Sequence, residues 1–286
     1  MAPSLVNRPS FAFHPHETVQ KGFIRILEQM AALAVFVAQQ SHAKLSDSVH
    51  KMRVLIKRLR ALLWFAAPAL SSSKMHRAKA SLRKASHLLA AHRDLVVTRS
   101  ILQTLARKTS HLAHRKTLIR ISNESTDTPA TYAKNEQALL QAVAIFLKTI
   151  KTLGLHLKTN SHWPKATKRV AQAFLATKKA GRKTLKNGDT AQFHEWRKKA
   201  KRLLYLLQLS QVAPDTRITR LIAKVDALQE KLGHYHDNVV VQDHLQKNPS
   251  VKTAPLLIRH SLKLLEARKY HLREDVQTIA EHIKPI

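Results

Sequence analysis

Two histidines, His50 and His194, head the stretches whose residue types and spacing could do chemistry. Val49 to Trp64 reads VHKMRVLIKRLRALLW, and Phe193 to Gln208, 144 positions later, reads FHEWRKKAKRLLYLLQ. Seven of these sixteen positions are identical: the histidine, Arg53 with Arg197, Lys57 with Lys201, Arg58 with Arg202, and three leucines. Guanidinium groups offer forked donors that fit phosphate oxygens, lysines act as point charges, and imidazole adds a donor that becomes cationic on protonation. Such a set, with almost no carboxylate beside it, suits the capture of a polyanion. A self-similarity at fixed offset also announces a repeated architecture.

Both copies read as helix. At about 100° per residue, Arg53, Lys57 and Arg60 fall within about 80° of His50 on one side, and Arg58 lies about 80° away on the other. Met52, Ile56, Leu59, Leu62 and Leu63 take the opposite face. In the second copy His194, Arg197, Lys198, Lys201, Arg202 and Tyr205 share one broad face, with Trp196, Ala200, Leu203, Leu206 and Leu207 against it. Only Glu195 interrupts the cationic side. Like charges at i,i+4 destabilise a helix, so this stacking favours an anion lying across it. Two further pairs share the offset, Lys21 with Lys165 and Arg25 with Arg169.

The elements that must position these groups are helical. The chain has 286 residues, only five glycines and no cysteine, with abundant Ala, Leu, Lys and Arg. A Pro-bearing tail of residues 1–15 precedes a first half, 16–158, and a second half, 159–286. In the first half helices are expected at His16 to Ser41, in the motif stretch capped by Ser46 or Asp47, at Lys74 to Lys108, and at Pro129 to Leu157. The clearest loop is Asn123 to Pro129. In the second half they are expected at Pro164 to Lys186, from an Asp189 cap to Val212, at Thr216 to Gln246, and at Pro255 to His282. No stretch alternates with period two, so the expectation is all-α: two four-helix bundles of long antiparallel helices related by a pseudo-twofold, with the motif helices near its axis.

The third helix of each half carries a second echo, LAAHRDLVV at Leu89 to Val97 and LGHYHDNVV at Leu232 to Val240. Asp94 and Asp237 align in it, and each is read as pairing with a basic residue of its own half and orienting it. A single acid per half makes a poor metal site.

The HxxRxxxKRL helix, the RDLxV or HDxxV element after it, and the four-plus-four order resemble the CHAD family, the conserved-histidine α-helical domains. The resemblance spans about residues 14 to 283. It implies a pair of four-helix bundles with a basic central surface that binds inorganic polyphosphate, and some family members associate with polyphosphate granules. The chain departs from the family pattern at Val97 and Val240, where an acid is usual, and at His236, which faces Arg93 in the alignment.

The balance of 50 Lys and Arg against 18 Asp and Glu, a formal charge of +32, calls for a polyanionic partner. Without cysteine, disulfides and thiolate metal sites are excluded. No GxxxxGK[ST], HExxH or GxSxG occurs, and no base sits beside a nucleophile, so a binding module is expected rather than an enzyme, with no cofactor and no metal. The start of the chain does not read as a signal peptide, and the apolar run Met30 to Ala38 is short for a bilayer. The expectation is therefore a cytoplasmic protein without membrane contact. The alternatives are a nucleic-acid backbone binder and an accessory subunit of a polyphosphate-metabolising enzyme. Against the first stand few aromatics, with Trp64 and Trp196 placed off the basic face.

Overall fold

The computed structural model describes residues 11–124, 128–154, 163–211, 215–248 and 255–283. Among these no strand occurs, and ten α-helices are described. They are α1 Val19–Gln39, α2 Leu45–Phe65, α3 Ser72–Leu88, α4 Ala90–Lys108, α5 Leu112–Glu124, α6 Pro129–Gly154, α7 Trp163–Asn187, α8 Thr190–Ser210, α9 Thr216–Lys247 and α10 Pro255–Glu281. The expected all-α class holds. Helices α7 to α10 follow the four spans read from the second half within two or three residues. The expected division between residues 158 and 159 lies outside the described residues.

The first half has more pieces than expected. The helix read from Lys74 to Lys108 is broken at Leu89, and α5 fills a stretch for which no element was expected, running into Asn123 and Glu124 of the expected loop. The break has a local cause. Arg53 of α2 donates Nη1–H to the Leu89 carbonyl at 3.2 Å, satisfying an acceptor that the helix leaves open there. In α9 the aligned residue is Leu232, followed by Gly233, where a Cβ would sit 3.6 Å from Arg197 Nε. Arg197 lies over that surface without opening the helix, and α9 runs unbroken for 32 residues.

Side-chain caps mark three of the starts, those of α1, α8 and α9. Thr18 accepts from the Lys21 N–H, Asp189 from Gln192 and Asp215 from Arg217. Neither Ser46 nor Asp47 caps α2. That helix already begins at Leu45, Ser46 Oγ shares a 3.1 Å bond with the buried His92, and Asp47 pairs with Lys51 one turn on.

One continuous core joins the halves. Phe23, Ile26 and Met30 of α1, Met52, Ile56 and Leu59 of α2, and Phe146 of α6 belong to the same buried cluster as Trp196, Leu203 and Leu206 of α8 and Val225 of α9. Helix α2 packs on α8, so the two motif helices meet as expected. A second core is built by four helices, two from each half: Leu102 and Leu105 of α4, Leu118 and Ile121 of α5, Val241 and Leu245 of α9, Ile258 and Leu265 of α10. Helix α1 is long and apolar enough to cross a membrane, which the short contiguous run concealed. Its Phe23, Ile26, Leu27, Met30, Ala34 and Val37 are buried, and it packs on α2 and α6.

The tail expected over residues 1–15 needs correction for its described part. Phe11 and Phe13 are core residues. Phe13 stacks on Phe65 with ring centroids 5.1 Å apart and donates its N–H to the Leu209 carbonyl at 3.1 Å, so the segment bridges α2 and α8. Gly22 makes room for it, since a Cβ there would lie 2.4 Å from the Phe13 ring. Replacing Phe13 by Ala is expected to cost about 3–5 kcal/mol, the usual range for a buried Phe truncated to Ala. Thermal unfolding checks this, and an unchanged midpoint would show that the segment is not part of the core.

Candidate functional site

The motif residues divide into a centre and flanks. At the centre Arg53 and Lys57 of α2 meet Arg197 and Lys201 of α8. Lys57 is pushed down to about 6, first by burial and then by the charges of Lys201, Arg53, Arg197 and Arg93. Lys201 is lowered to about 8 by burial and by Arg197 and Arg93, with Asp237 opposing. Arg53 and Arg197 are lowered by burial and by neighbouring guanidinium groups, and Asp237 again works the other way. Four cations from two helices thus compress each other in a half-buried place.

The carboxylates nearby are already used. Arg93 of α4 binds Asp94 at 2.9 Å through Nη1 and pairs with Asp237 of α9 through Nη2. Asp94 orients a base of its own half, as expected. Asp237 does not: its partner crosses from the other half. The reason lies in the repeat, because His236 stands where a second arginine would be, and Arg93 serves both acids. His236 is pushed to about 4 by burial and by Arg197 and His194. Its Nδ1 lies 3.4 Å from His194 Nδ1. His194 is itself lowered, by burial and by Lys198 and Arg197. His50 is exposed on α2 and lowered by burial and by Lys57, Lys201 and Arg53, with Asp47 opposing.

Two flanks extend the cationic surface. On one, Arg58 lies 4.7 Å over the Phe11 ring and 5.8 Å from that of Tyr205, whose hydroxyl is raised by burial. On the other, Arg169 stacks 4.8 Å over Trp64 and donates to the Trp64 carbonyl at 3.0 Å, while Arg202 sits 5.7 Å from the same ring. Trp64 therefore belongs to the basic face, contrary to the helical-wheel expectation, because it lies at the end of α2 where α7 and α8 reach it. Trp196 is buried, as expected. Arg60 is lowered by burial and by Arg83.

The remaining residues read from the motifs stand apart. Arg25 is turned onto the N-terminal segment: Nη2 bonds the Ala12 carbonyl at 2.8 Å and Glu17 at 2.6 Å, and Nε bonds Glu17 at 3.1 Å. Lys21 is exposed on α1, and neither is among the charges felt by Lys57 or Lys201. Lys198 is paired with Glu195. Lys165 lies in the first turn of α7, and its side chain is outside the described residues. Sequence reasoning missed Arg93, His236 and Trp64 as parts of the site. The first two were legible as aligned partners within the second echo.

Two guanidinium nitrogens, Arg58 Nε and Arg197 Nε, are buried with no acceptor in reach. A buried donor without a partner costs about 1–3 kcal/mol. An oxyanion placed over the α2–α8 seam would relieve the mutual repulsion of the four central cations. Among the described residues no group of three or more metal-ligating side chains comes together.

The CHAD domain family model matches residues 25–246. Among solved structures the chain is similar to the crystal structure of the CHAD domain from the plant Ricinus communis, with a TM-score of 0.68 over 96% of each chain. The two are 19% identical, so this is a likeness of fold. No curated protein matches the chain. The family match takes in both motif helices and both copies of the acidic echo, and with it the chain belongs to the CHAD domain family.

Proposed function

We propose that this protein binds inorganic polyphosphate across the seam between α2 and α8, and that it works as a binding module rather than an enzyme. The observation that carries the reading is the central cluster. Arg53, Lys57, Arg197 and Lys201 converge from two halves, depress one another, and face only carboxylates held by Arg93. Such a site costs stability when empty and is relieved by a dense line of negative charge. Arg58, Arg169 and Arg202 continue it on either side, which suits a long polymer better than a single phosphate. The family resemblance points to the same ligand, and a role at polyphosphate granules or beside a polyphosphate-metabolising enzyme would follow from such binding.

A nucleic-acid backbone is the second reading, and Trp64 is the observation that favours it. Its ring, however, is already engaged by Arg169 and Arg202, which leaves little aromatic face for a base. Competition separates the two. Labelled long-chain polyphosphate bound at physiological salt should resist duplex DNA, single-stranded RNA and short phosphates at equal phosphate concentration. Affinity should fall by orders of magnitude between about 50 and 200 mM salt as condensed counterions are released. Displacement by nucleic acid at lower phosphate concentration than polyphosphate itself would overturn the reading.

A further inference from the structure

The 144-residue offset pairs the two flanks of the seam residue by residue: Arg25 with Arg169, Arg58 with Arg202 and Gln208 with Trp64. On one flank Arg169 and Arg202 share the Trp64 ring, and Arg169 donates to the Trp64 carbonyl at 3.0 Å. Among the described residues no carboxylate pairs with either arginine. The other flank is built differently. Gln208 has no ring to offer, and the segment before α1 supplies one: Phe11 lies 4.7 Å from the Arg58 guanidinium, in a hollow lined by Met30, Tyr205, Gln208 and Leu209. The next residue, Ala12, accepts from Arg25 Nη2 at 2.8 Å, so Arg25 stands beside the ring that carries Arg58, as Arg169 stands beside Arg202. Arg25 is then closed off by Glu17. Oε1 accepts from Nη2 at 2.6 Å and Oε2 from Nε at 3.1 Å, a two-pronged grip of the kind a phosphate would make. The backbone aims this carboxylate. His16 holds a φ of 64°, in the left-handed region that a non-glycine residue occupies at a cost, and the His14 N–H donates to Glu17 Oε1.

We propose that Glu17 is a built-in stand-in for the anion on Arg25, and that it sets how far a bound polyanion reaches. The two flanks are then unequal. The Arg169–Trp64–Arg202 flank is open to phosphates, whereas the Arg58 flank ends at a guanidinium already held by a carboxylate of the chain. A polymer on the seam meets Arg58 and goes no further, because Glu17 repels the next phosphate and occupies the group that would receive it. Added length therefore strengthens binding on the Trp64 side and not on the Arg25 side. Glu17 acts here through Arg25, as a residue that determines specificity. A merely structural pair would fix the segment before α1 and leave affinity untouched. The inference rests on the reading of the seam as a polyanion site, but not on which polyanion it takes.

The test uses the whole chain, with long-chain polyphosphate and duplex DNA titrated in parallel at several salt concentrations. Glu17→Gln keeps the shape of the side chain and removes its charge. It should tighten polyphosphate binding by about threefold to fivefold, the effect of one partly exposed charged contact. The slope of log K against log salt should steepen by about 0.7–0.9, the mark of one added phosphate. Arg25→Gln alone should change affinity by less than about twofold, since that cation is already spent, whereas its counterpart Arg169→Gln should weaken binding by about threefold to fivefold. In Glu17→Gln with Arg25→Gln the gain should disappear, while a general effect of removing one negative charge would survive. Thermal melts of each variant separate loss of fold from loss of binding. An unchanged affinity and salt slope in Glu17→Gln, a gain that persists in the double variant, or Arg25→Gln as damaging as Arg169→Gln would overturn the proposal. If the unaltered chain binds DNA and not polyphosphate, the variants are read on DNA, and the polyphosphate reading alone falls. Binding of neither polymer overturns both.

Discussion

Arg53→Ala with Lys57→Ala, and separately Arg197→Ala with Lys201→Ala, should each weaken binding of long-chain polyphosphate by at least about 100-fold, leaving the number of polymers bound per protein unchanged. The magnitude follows from two charge-assisted contacts of about 1.5–3 kcal/mol each, lost together from one site. The unchanged stoichiometry follows from the geometry. Arg53 and Arg197 both feel Arg93 and Asp237, and Lys57 feels Lys201, so the two halves build one electrostatic unit. Short oligophosphates should lose less than the long polymer, which gains from effectively intramolecular contacts along the flanks. Calorimetric titration reads affinity and stoichiometry together. If either double variant halves the number of sites and leaves the rest at full affinity, the halves act independently and the shared site is wrong.

Lys57→Met should make the free protein more stable while damaging its binding. In the folded state Lys57 titrates at about 6, against an ordinary value of 10.5. Between those limits the unfolded chain holds one more proton than the fold, so the wild type gains stability as pH rises through that window and gains nothing from this group below it. Methionine keeps the length of the side chain and removes the penalty. The midpoint advantage of the variant should therefore be largest at pH 6 and below and shrink towards pH 10, with about 2–4 °C for each kcal/mol recovered. Thermal melts across that range check it. A variant less stable than wild type at pH 6 would show that Lys57 is held by contacts, not strained by charge. The affinity for an anion has the opposite sign and should fall as pH rises from 6, since binding must bring the proton back.

Much of the architecture was legible because the helices repeat. His50 and His194, with the leucines beneath them, identified α2 and α8 and their opposed faces. The second half was read nearly to its ends, because Asp189, Pro214, Asp215 and Asn248-Pro249 punctuate it. The first half was harder for local reasons. The break at Leu89 is imposed by Arg53, a residue of another helix, and leaves no mark on the local pattern. Of its apolar residues helix α5 buries Leu118 and Ile121, while Leu112 and Ile119 stay exposed, so its apolar stripe is too thin to read. Phe11 and Phe13 sit among prolines and looked like a tail, yet their burial depends on the seam between α2 and α8.

The site followed the same division. Residues on the motif helices fell where their periodicity put them, and the central four emerged together. Periodicity could not show which cations are spent. Arg25 is taken by Glu17 and the Ala12 carbonyl, neighbours from the segment before α1 that its own helix face does not reveal, whereas Lys198 is taken by Glu195 one turn back on the same helix. The pairing of Asp237 with Arg93 crosses the halves. A repeat read by alignment predicts partners within each copy, and only packing of α4 on α9 brings these two together. Trp64 sits at a helix end, where the neighbouring helices rather than its own face decide what it meets.

The most direct measurement is the proton count when long-chain polyphosphate binds, taken by calorimetry at pH 7.5 in buffers of different ionisation enthalpy. If the polymer lies on the α2–α8 seam, it must recharge Lys57 and part of Lys201, and the protein should take up about one proton per polymer bound. The uptake should vanish in Lys57→Met with Lys201→Met. Tight binding with no net uptake by the wild type would place the polymer elsewhere on the basic surface and contradict the account.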